Sequence, residues 1–318
     1  MSDAPAISIV SPAYNEANGL AAFHDRVTAV MAGLSLDYEI VFINDGSRDA
    51  TLAVMRKLAA QDTHVSIVNL SRNFGKEIAL TAGLDHARGD AVIVIDSDLQ
   101  DPPEVIPQLI AKWREGFDMV YARRIRRDGE TALKKTTAAA FYRLIHQVGP
   151  VQLPKDTGDF RLMTRRVADA VRSMREQHRF MKGLFAWVGY PTAEVTYARD
   201  PRFAGRTHMN YWNLWNLAVE GITSFTVFPL KVATYLGLFV ALGAFVYGMG
   251  IILKTLIYGV DVPGYASLAV IVLFLGGLQL LALGIIGEYL GRIFNESKRR
   301  PLYWVADYEP ARMDAPKP

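Results

Sequence analysis

The sequence predicts an α/β fold: a mostly parallel, Rossmann-like sheet covered by helices, followed by interfacial helices and two transmembrane helices. Three observations predict it. Short apolar runs rich in β-branched residues alternate with segments whose apolar residues recur at helical spacing. Polar clusters follow three of those runs directly, at the strand ends where parallel sheets bind their ligands. Two charge-free apolar stretches, residues 232–253 and 265–287, are each longer than the roughly 20 residues a helix needs to cross about 30 Å of hydrocarbon.

Residues 7–11 form the first β-rich run, ending in the turn-like Pro12-Ala13-Tyr14-Asn15-Glu16. Leu20, Phe23, Val27, Val30, Met31 and Leu34 then mark one face of a helix. A second strand over 38–43 ends in Asn44-Asp45-Gly46-Ser47, and a helix through Leu52, Met55 and Leu58 leads to a third strand at 65–70. Residues 75–87 read as helix and 91–95 as a buried fourth strand ending in Asp96-Ser97-Asp98-Leu99-Gln100-Asp101. Pro102-Pro103 opens a helix to about residue 115, before a strand at 119–121. This alternation argues for helices on both faces of the sheet. Neither G-x-G-x-x-G after the first strand nor a P-loop is present, which argues against a dehydrogenase or a P-loop NTPase.

A chain of 318 residues has room for one good-sized domain and an appendage, and its 51% apolar content is concentrated toward the C-terminus. With no cysteine, disulfides and thiolate metal sites are excluded, and a reducing compartment is compatible. The first residues carry no basic segment followed by an apolar one, so no cleaved secretion signal is expected and the first half is expected in the cytoplasm. Lys231 precedes the first span and Arg292, Lys298, Arg299 and Arg300 follow the second, while the loop between them carries Asp261 with only Lys254 nearby. Positive-inside logic puts both termini in the cytoplasm, making a multi-pass protein of the inner (cytoplasmic) membrane. The expected divisions are a catalytic domain at 1–208, a juxtamembrane amphipathic helix at 209–229, a two-helix hairpin at 230–291 and a cytoplasmic tail at 292–318.

The formal net charge is only +3, but Arg123, Arg124, Arg126 and Arg127 cluster, with Lys134 and Lys135 close behind. Such a cluster is either a solvated basic loop or a site for anionic headgroups or a phosphorylated ligand. Nucleic acid is not expected as a partner, because no recognised binding motif accompanies the charges. Asp96 and Asp98 stand two apart at a strand end, where extended geometry points both side chains the same way. Their repulsion calls for a cation or donor groups. A hard divalent ion with positions left for diphosphate oxygens meets that need, and Mg²⁺ or Mn²⁺ suits oxygen ligands. Gln100 offers a further neutral oxygen. An isolated Asp-x-Asp is also a common acidic turn.

Taken together, Ser11-Pro12-Ala13-Tyr14-Asn15-Glu16, Asn44-Asp45-Gly46-Ser47, Asn73-Phe74-Gly75-Lys76 and the run from Asp96 through Pro103 to Glu104 resemble family-2 glycosyltransferases of the GT-A type. Gly158-Asp159-Phe160-Arg161-Leu162 and Glu220-Gly221-Ile222-Thr223-Ser224-Phe225 add to the likeness, which extends through the paired spans. Among these enzymes the chain is most similar to the polyprenyl-phosphate glycosyltransferases, such as dolichol-phosphate mannose synthases and bactoprenol glucosyltransferases. The resemblance implies that Pro12, Tyr14 and Glu16 hold the nucleobase and Asp45 the base or ribose. It implies that Asp96 faces the donor, with Asp98 and Gln100 on a Mg²⁺ or Mn²⁺ ion that bridges the diphosphate. Arg123 and Lys134 match basic positions near the acceptor phosphate, Asp159 the acidic member of the acceptor region, and Arg202 and Arg206 a loop over the diphosphate.

Two positions depart from that pattern. Asn44 stands where many relatives have Asp, and His208 where a lysine is common, although a neutral histidine can still donate one hydrogen bond. Singly, Tyr14 could be a packing residue, Asp45 a turn-former and Asp159 a helix cap. The remaining histidines, His24, His64, His86, His146 and His178, show no metal-ligand spacing. Phe141, Leu144, Ile145 and Val148 form an apolar stripe that reads as a core-facing or an interfacial helix. Tyr211, Leu214, Trp215, Ala218 and Ile222 form another, whose aromatics just before the first span favour the membrane interface.

The activity this resemblance implies is inverting transfer of one sugar from a nucleotide-diphosphate sugar, UDP-glucose foremost, to polyprenyl phosphate such as undecaprenyl phosphate. GDP-mannose or a UDP-aminosugar is the alternative donor, and a homotetramer the implied assembly. A processive polysaccharide synthase usually carries Gln-x-x-Arg-Trp, which surrounds none of the five tryptophans. A non-catalytic membrane scaffold that binds nucleotide sugar has no use for an intact Asp96, Asp98 and Gln100.

Overall fold

The first apolar run becomes the middle of the sheet. Strand β1 (Ile7–Ala13) is buried at every residue and lies parallel between β2 (Tyr38–Asn44) and β4 (Ala91–Val94). These three strands are enclosed on both faces and mostly apolar, and the polar residues they carry, Ser8, Ser11, Glu39 and Asn44, are buried with the rest. The computed structural model describes residues 5–125, 157–198, 227–259 and 264–312. It divides into two units, residues 1–218 with 301–318, and residues 219–300.

In the first unit, β3 (Val65–Leu70), β5 (Met119–Arg124), β6 (Thr157–Thr164), β7 (Thr192–Tyr197) and β8 (Val305–Glu309) complete an eight-stranded sheet of order β7-β5-β6-β4-β1-β2-β3-β8. β3 runs parallel to β2, and β7 parallel to β5. β6 is antiparallel to both β4 and β5, and β8 is antiparallel to β3. The sheet is therefore mixed: a parallel half carries the first four strand-end loops, and the antiparallel β6 carries Asp159 into the other half.

Helix α1 (Leu20–Ala32) buries Leu20, Phe23, Val27 and Met31, with the Phe23 ring edge-on to Phe42 at 6.0 Å. α2 (Thr51–Gln61) and α3 (Lys76–His86) follow as expected. α3 lies so close to the sheet that a Cβ on Gly83 would collide with Val10 and Ile43. A short 3-10 turn at Pro103–Val105 leads into α4 (Ile106–Arg114), with α5 (Arg165–Ser173) and α6 (Met181–Trp187) after β6.

The second unit is a pair of long helices, α7 (Phe228–Tyr258) and α8 (Tyr265–Ser297). Both exceed the apolar stretches read from sequence, because the helices run on into polar flanks. They are long and apolar enough to cross a membrane, and α7 buries no residue within the chain. The amphipathic stripes at 141–148 and 211–222 lie outside the described residues.

Within the segment expected as a cytoplasmic tail, β8 is part of the sheet. β8 pairs along β3, and Arg56 bonds Asp307 at 2.5 Å and Glu309 at 2.9 Å. Tyr303 donates to Asp85 Oδ2 at 2.7 Å, and the Ser71 amide donates to the Trp304 carbonyl at 2.9 Å. Ending the chain after Arg300 strips β3 of its partner and exposes an open edge. In a domain of this size each kcal/mol lost lowers Tm by roughly 2–4 °C, so a drop of about 5 °C or more is expected by circular dichroism in detergent. An unchanged Tm would mean that β8 contributes no stability.

Candidate active site

Four loops gather at the carboxyl ends of β1 to β4, and side chains from each tie it to the next. The Asn15 amide donates to Ser47 Oγ at 3.0 Å, and the Arg48 amide donates back to Asn15 Oδ1 at 2.9 Å. Thr51 Oγ1 accepts from the Glu16 amide at 2.9 Å, and Ser97 Oγ donates to the carbonyl of the buried Pro12 at 3.2 Å. Asn15 adopts a left-handed φ of 56°, a conformation that Asn tolerates better than most residues. Tyr14 stands at the rim, 43% exposed.

Asn44 uses both ends of its amide. Nδ2 donates to Asn69 Oδ1 at 2.7 Å, and Oδ1 accepts from the Ser47 amide at 3.2 Å. A carboxylate there lacks the donor, which gives the Asn at this position a physical reason. Asp45 is buried, and its two oxygens accept from the amides of Phe74 at 2.7 Å and Gly75 at 3.0 Å. Burial pushes its carboxyl above the usual carboxylate range, with the amide bonds pulling the other way. The resemblance assigns Asp45 to the base or ribose; in this structure both oxygens hold the 73–75 loop. Gly46 makes the approach possible: its φ is +62°, and a Cβ would strike the Arg72 and Asn73 backbones.

The loop so held delivers Lys76, the first residue of α3, between two carboxylates. Nζ lies 2.7 Å from Asp96 Oδ2 and 2.6 Å from Asp159 Oδ2. Desolvation opposes the Lys76 charge, but Asp159 and Asp96 outweigh it and hold the ammonium above the usual lysine range. Behind it, Glu77 accepts from the Met181 amide at 2.8 Å; burial first, and then Asp159, push its carboxyl up to about 7. The buried Arg161 donates to the carbonyls of Gly158 at 2.9 Å and Asp159 at 3.2 Å and stacks 4.0 Å over the Phe185 ring, fixing the backbone that bears Asp159. Burial lowers its guanidinium to about 10.

Asp98 is not placed as extended geometry predicts. β4 ends at Val94, the chain turns, and Leu99 takes a left-handed φ of 59°. Asp98 Oδ1 accepts from the Gln100 amide at 3.1 Å within that turn, so Asp96 and Asp98 belong to a bend rather than to one face of a strand. Among the described residues no three His, Cys, Asp or Glu side chains form a complete metal site. The all-oxygen pair of Asp98 and Gln100 fits Mg²⁺ or Mn²⁺ with phosphate oxygens supplying the rest, since Mg²⁺ commonly takes one or two carboxylates plus substrate phosphates.

The basic cluster separates by strand alternation. Arg123 pairs with Glu194 at 3.0 Å, on the opposite side of β5 from Arg124. Arg124 reaches the acidic loop, 3.4 Å from the buried Asp101, and donates to Tyr197 Oη at 3.1 Å; Tyr197 in turn donates to Asp101. Its guanidinium fills the space where a Cβ on Gly158 would stand. Lys182 of α6 adds another cation, lowered by desolvation but drawn upward by Asp159. Lys134, Arg202, Arg206 and His208 lie outside the described residues. Lys76, Arg124, Asp101, Lys182 and Tyr197 are the site residues that received no role from sequence. The signals were the Asn73-Phe74-Gly75-Lys76 motif, the basic cluster and the Asp96–Asp101 run; Lys182 and Tyr197 carry none.

Strand-end loops on a mixed α/β sheet, an acidic turn and a clamped lysine are the setting of a GT-A-like sugar transferase. Residues 8–172 match the model of glycosyl transferase family 2, and the chain belongs to that family as a glycosyltransferase. Residues 228–293 match the GtrB C-terminal hairpin. A glycosyltransferase of Synechocystis is 55% identical over 95% of both chains. A bactoprenol glucosyl transferase of Shigella phage SfV is 51% identical over 94% of this chain and 97% of its own. A prophage bactoprenol glucosyl transferase homolog of Escherichia coli K12 is likewise 51% identical, over 94% and 98%. Among solved structures, mannosyl-3-phosphoglycerate synthase from Rubrobacter xylanophilus aligns at 19% identity with a TM-score of 0.48, covering 68% of this chain and 71% of its own. Glucosyl-3-phosphoglycerate synthase from Mycobacterium tuberculosis, in complex with Mn²⁺, UDP-glucose and phosphoglyceric acid, aligns at 22% with a TM-score of 0.45, covering 68% and 76%.

Asp45→Asn turns an NH₂ group toward an amide that now donates to a carboxylate. The unmade bond costs about 1–3 kcal/mol, so Tm and nucleotide affinity are both expected to fall. Loss of affinity with Tm unchanged would assign Asp45 to the nucleotide rather than to the loop.

Proposed function

We propose that the protein transfers a single glucose from a nucleotide-diphosphate donor, UDP-glucose, to a polyprenyl phosphate, undecaprenyl phosphate, with inversion at the anomeric carbon. The observation that carries this reading is the 51% identity to bactoprenol glucosyl transferases across 94% of the chain, through both the sheet and the hairpin. The reaction takes place on the cytoplasmic face of the inner membrane. Two spans return the chain to the side it left, and residues 301–312 rejoin the sheet, so the whole catalytic unit shares one side. The cationic flank at Arg292 and Lys298 to Arg300 favours the cytoplasm.

The acceptor is already an anion near neutral pH, because a phosphomonoester has its second pKa at about 6. It needs positioning and charge neutralisation more than a strong base. A phosphate oxygen attacks the anomeric carbon in line, that C–O bond forms as the bond to the diphosphate breaks, and the electron pair leaves with the nucleotide. The Tyr14 rim and the interlocked Asn15 and Ser47 loops receive the nucleoside, and Asp96 faces the sugar. Asp98 and Gln100 would hold a divalent ion, which when bound would supply stabilisation of charge on the departing diphosphate. Arg124, held next to Gly158, and Lys182 bring positive charge to the Asp159 side, where the acceptor phosphate arrives. Arg123, tied to Glu194, is less well placed for that work.

Purified protein incubated with labelled UDP- and GDP-sugars and undecaprenyl phosphate is expected to give one glycolipid, from UDP-glucose. A polymer, or no lipid-linked product from any donor, would overturn the reading. Asp98→Ala should remove nearly all turnover even at saturating Mn²⁺, whereas Asp25→Ala, on the exposed face of α1, should not. Near-normal turnover of Asp98→Ala would sink the metal assignment.

A further inference from the structure

Lys76 stands where the two halves of the site meet. Its ammonium contacts both Asp96, on the loop after β4, and Asp159, on β6. Nothing about the position is accidental. Asp45 grips the two amides immediately before it, and Gly75 at φ +94° lets the chain turn into α3 with Lys76 leading. Asp159 is buried; Lys76 takes its Oδ2, while Oδ1 is sealed from solvent and has no hydrogen-bond partner among the described residues.

The charges facing Asp159 come from every neighbouring element: Lys76 and Glu77 of α3, Lys182 of α6, Arg161 of β6, and Asp96. Desolvation works to raise its carboxyl, but Lys76 first and then Lys182 outweigh it and hold the group ionised well below the usual range. Without the ammonium, two carboxylates confront each other at the point where the proposed reaction admits a phosphate anion. Like charges so close disfavour ionisation and repel an incoming anion.

We propose that Lys76 is the positioning residue that makes this site receptive to a lipid monophosphate. One ammonium offsets Asp96 and Asp159 and fixes their spacing. The role rests on the glycolipid synthesis proposed above, but part of its test does not.

The test uses full-length Lys76→Met and Lys76→Arg in detergent, with Lys76→Gln if the Met variant does not fold. Calorimetric binding of farnesyl phosphate needs no turnover. The Met variant is expected to bind it about ten-fold more weakly, the loss of one charge-assisted contact, and Arg to recover most of that loss. In turnover assays between about pH 5 and 9, the acid limb of kcat/KM for lipid should move to higher pH in the Met variant. Asp159, stripped of its cation, would then protonate before the wild-type group does. Unchanged farnesyl phosphate affinity, or a fall in kcat with lipid KM and acid limb unmoved, would make Lys76 a structural residue and overturn the proposal. If wild-type protein makes no glycolipid from any donor yet the difference in farnesyl phosphate binding persists, the glycolipid reading falls and the role of Lys76 stands.

Discussion

Two backbone amides, those of Phe74 and Gly75, converge on the buried carboxylate of Asp45, and the placement of Lys76 at the centre of the site follows from that grip. Taking a carboxylate out of water is costly unless donors replace the lost hydration. The amides supply that replacement, and in doing so they fix the start of α3 to within a hydrogen bond. Because Lys76 is the next residue, its ammonium arrives at Asp96 and Asp159 with little freedom left to it. Gly46 is part of the same device, since any side chain there would push the two loops apart.

From this constraint the site acquires its electrical character. Arg124 and Tyr197 meet Asp101 Oδ1, Lys76 meets Asp159 Oδ2, and a buried Arg161 holds the backbone beneath Asp159, finding carbonyls and a phenyl face instead of a carboxylate. Anionic and cationic groups alternate through the cleft, so a phosphorylated ligand meets fixed dipoles and paired charges rather than a field of one sign. Such preorganised groups pay their reorganisation cost during folding, not during reaction.

The parallel half of the fold was legible because enclosed strands leave continuous apolar runs, and the first four strands appear within one or two residues of where periodicity puts them. β6, β7 and β8 left weaker marks. The pattern of β7 alternates with exposed residues at an edge, and that of β8 is half-exposed throughout, so neither resembles a buried run. Arg123 and Arg124 show a second limit. A cluster of like charges signals a cationic region, but only the strand register decides which neighbour faces the acid and which faces away. Likewise, Asp98 was identified by its motif while its geometry was not, because the left-handed Leu99 bends a segment that spacing alone reads as extended.

The return of the chain after the hairpin bears on how the protein comes to exist at all. Synthesis runs from the N-terminus, so the strand that closes the β3 edge is made only after both apolar helices have been translated. Until then the nascent sheet presents an unpaired edge, a template for wrong partners. Synthesis of the two apolar helices and completion of the catalytic sheet are thereby placed in a compulsory order.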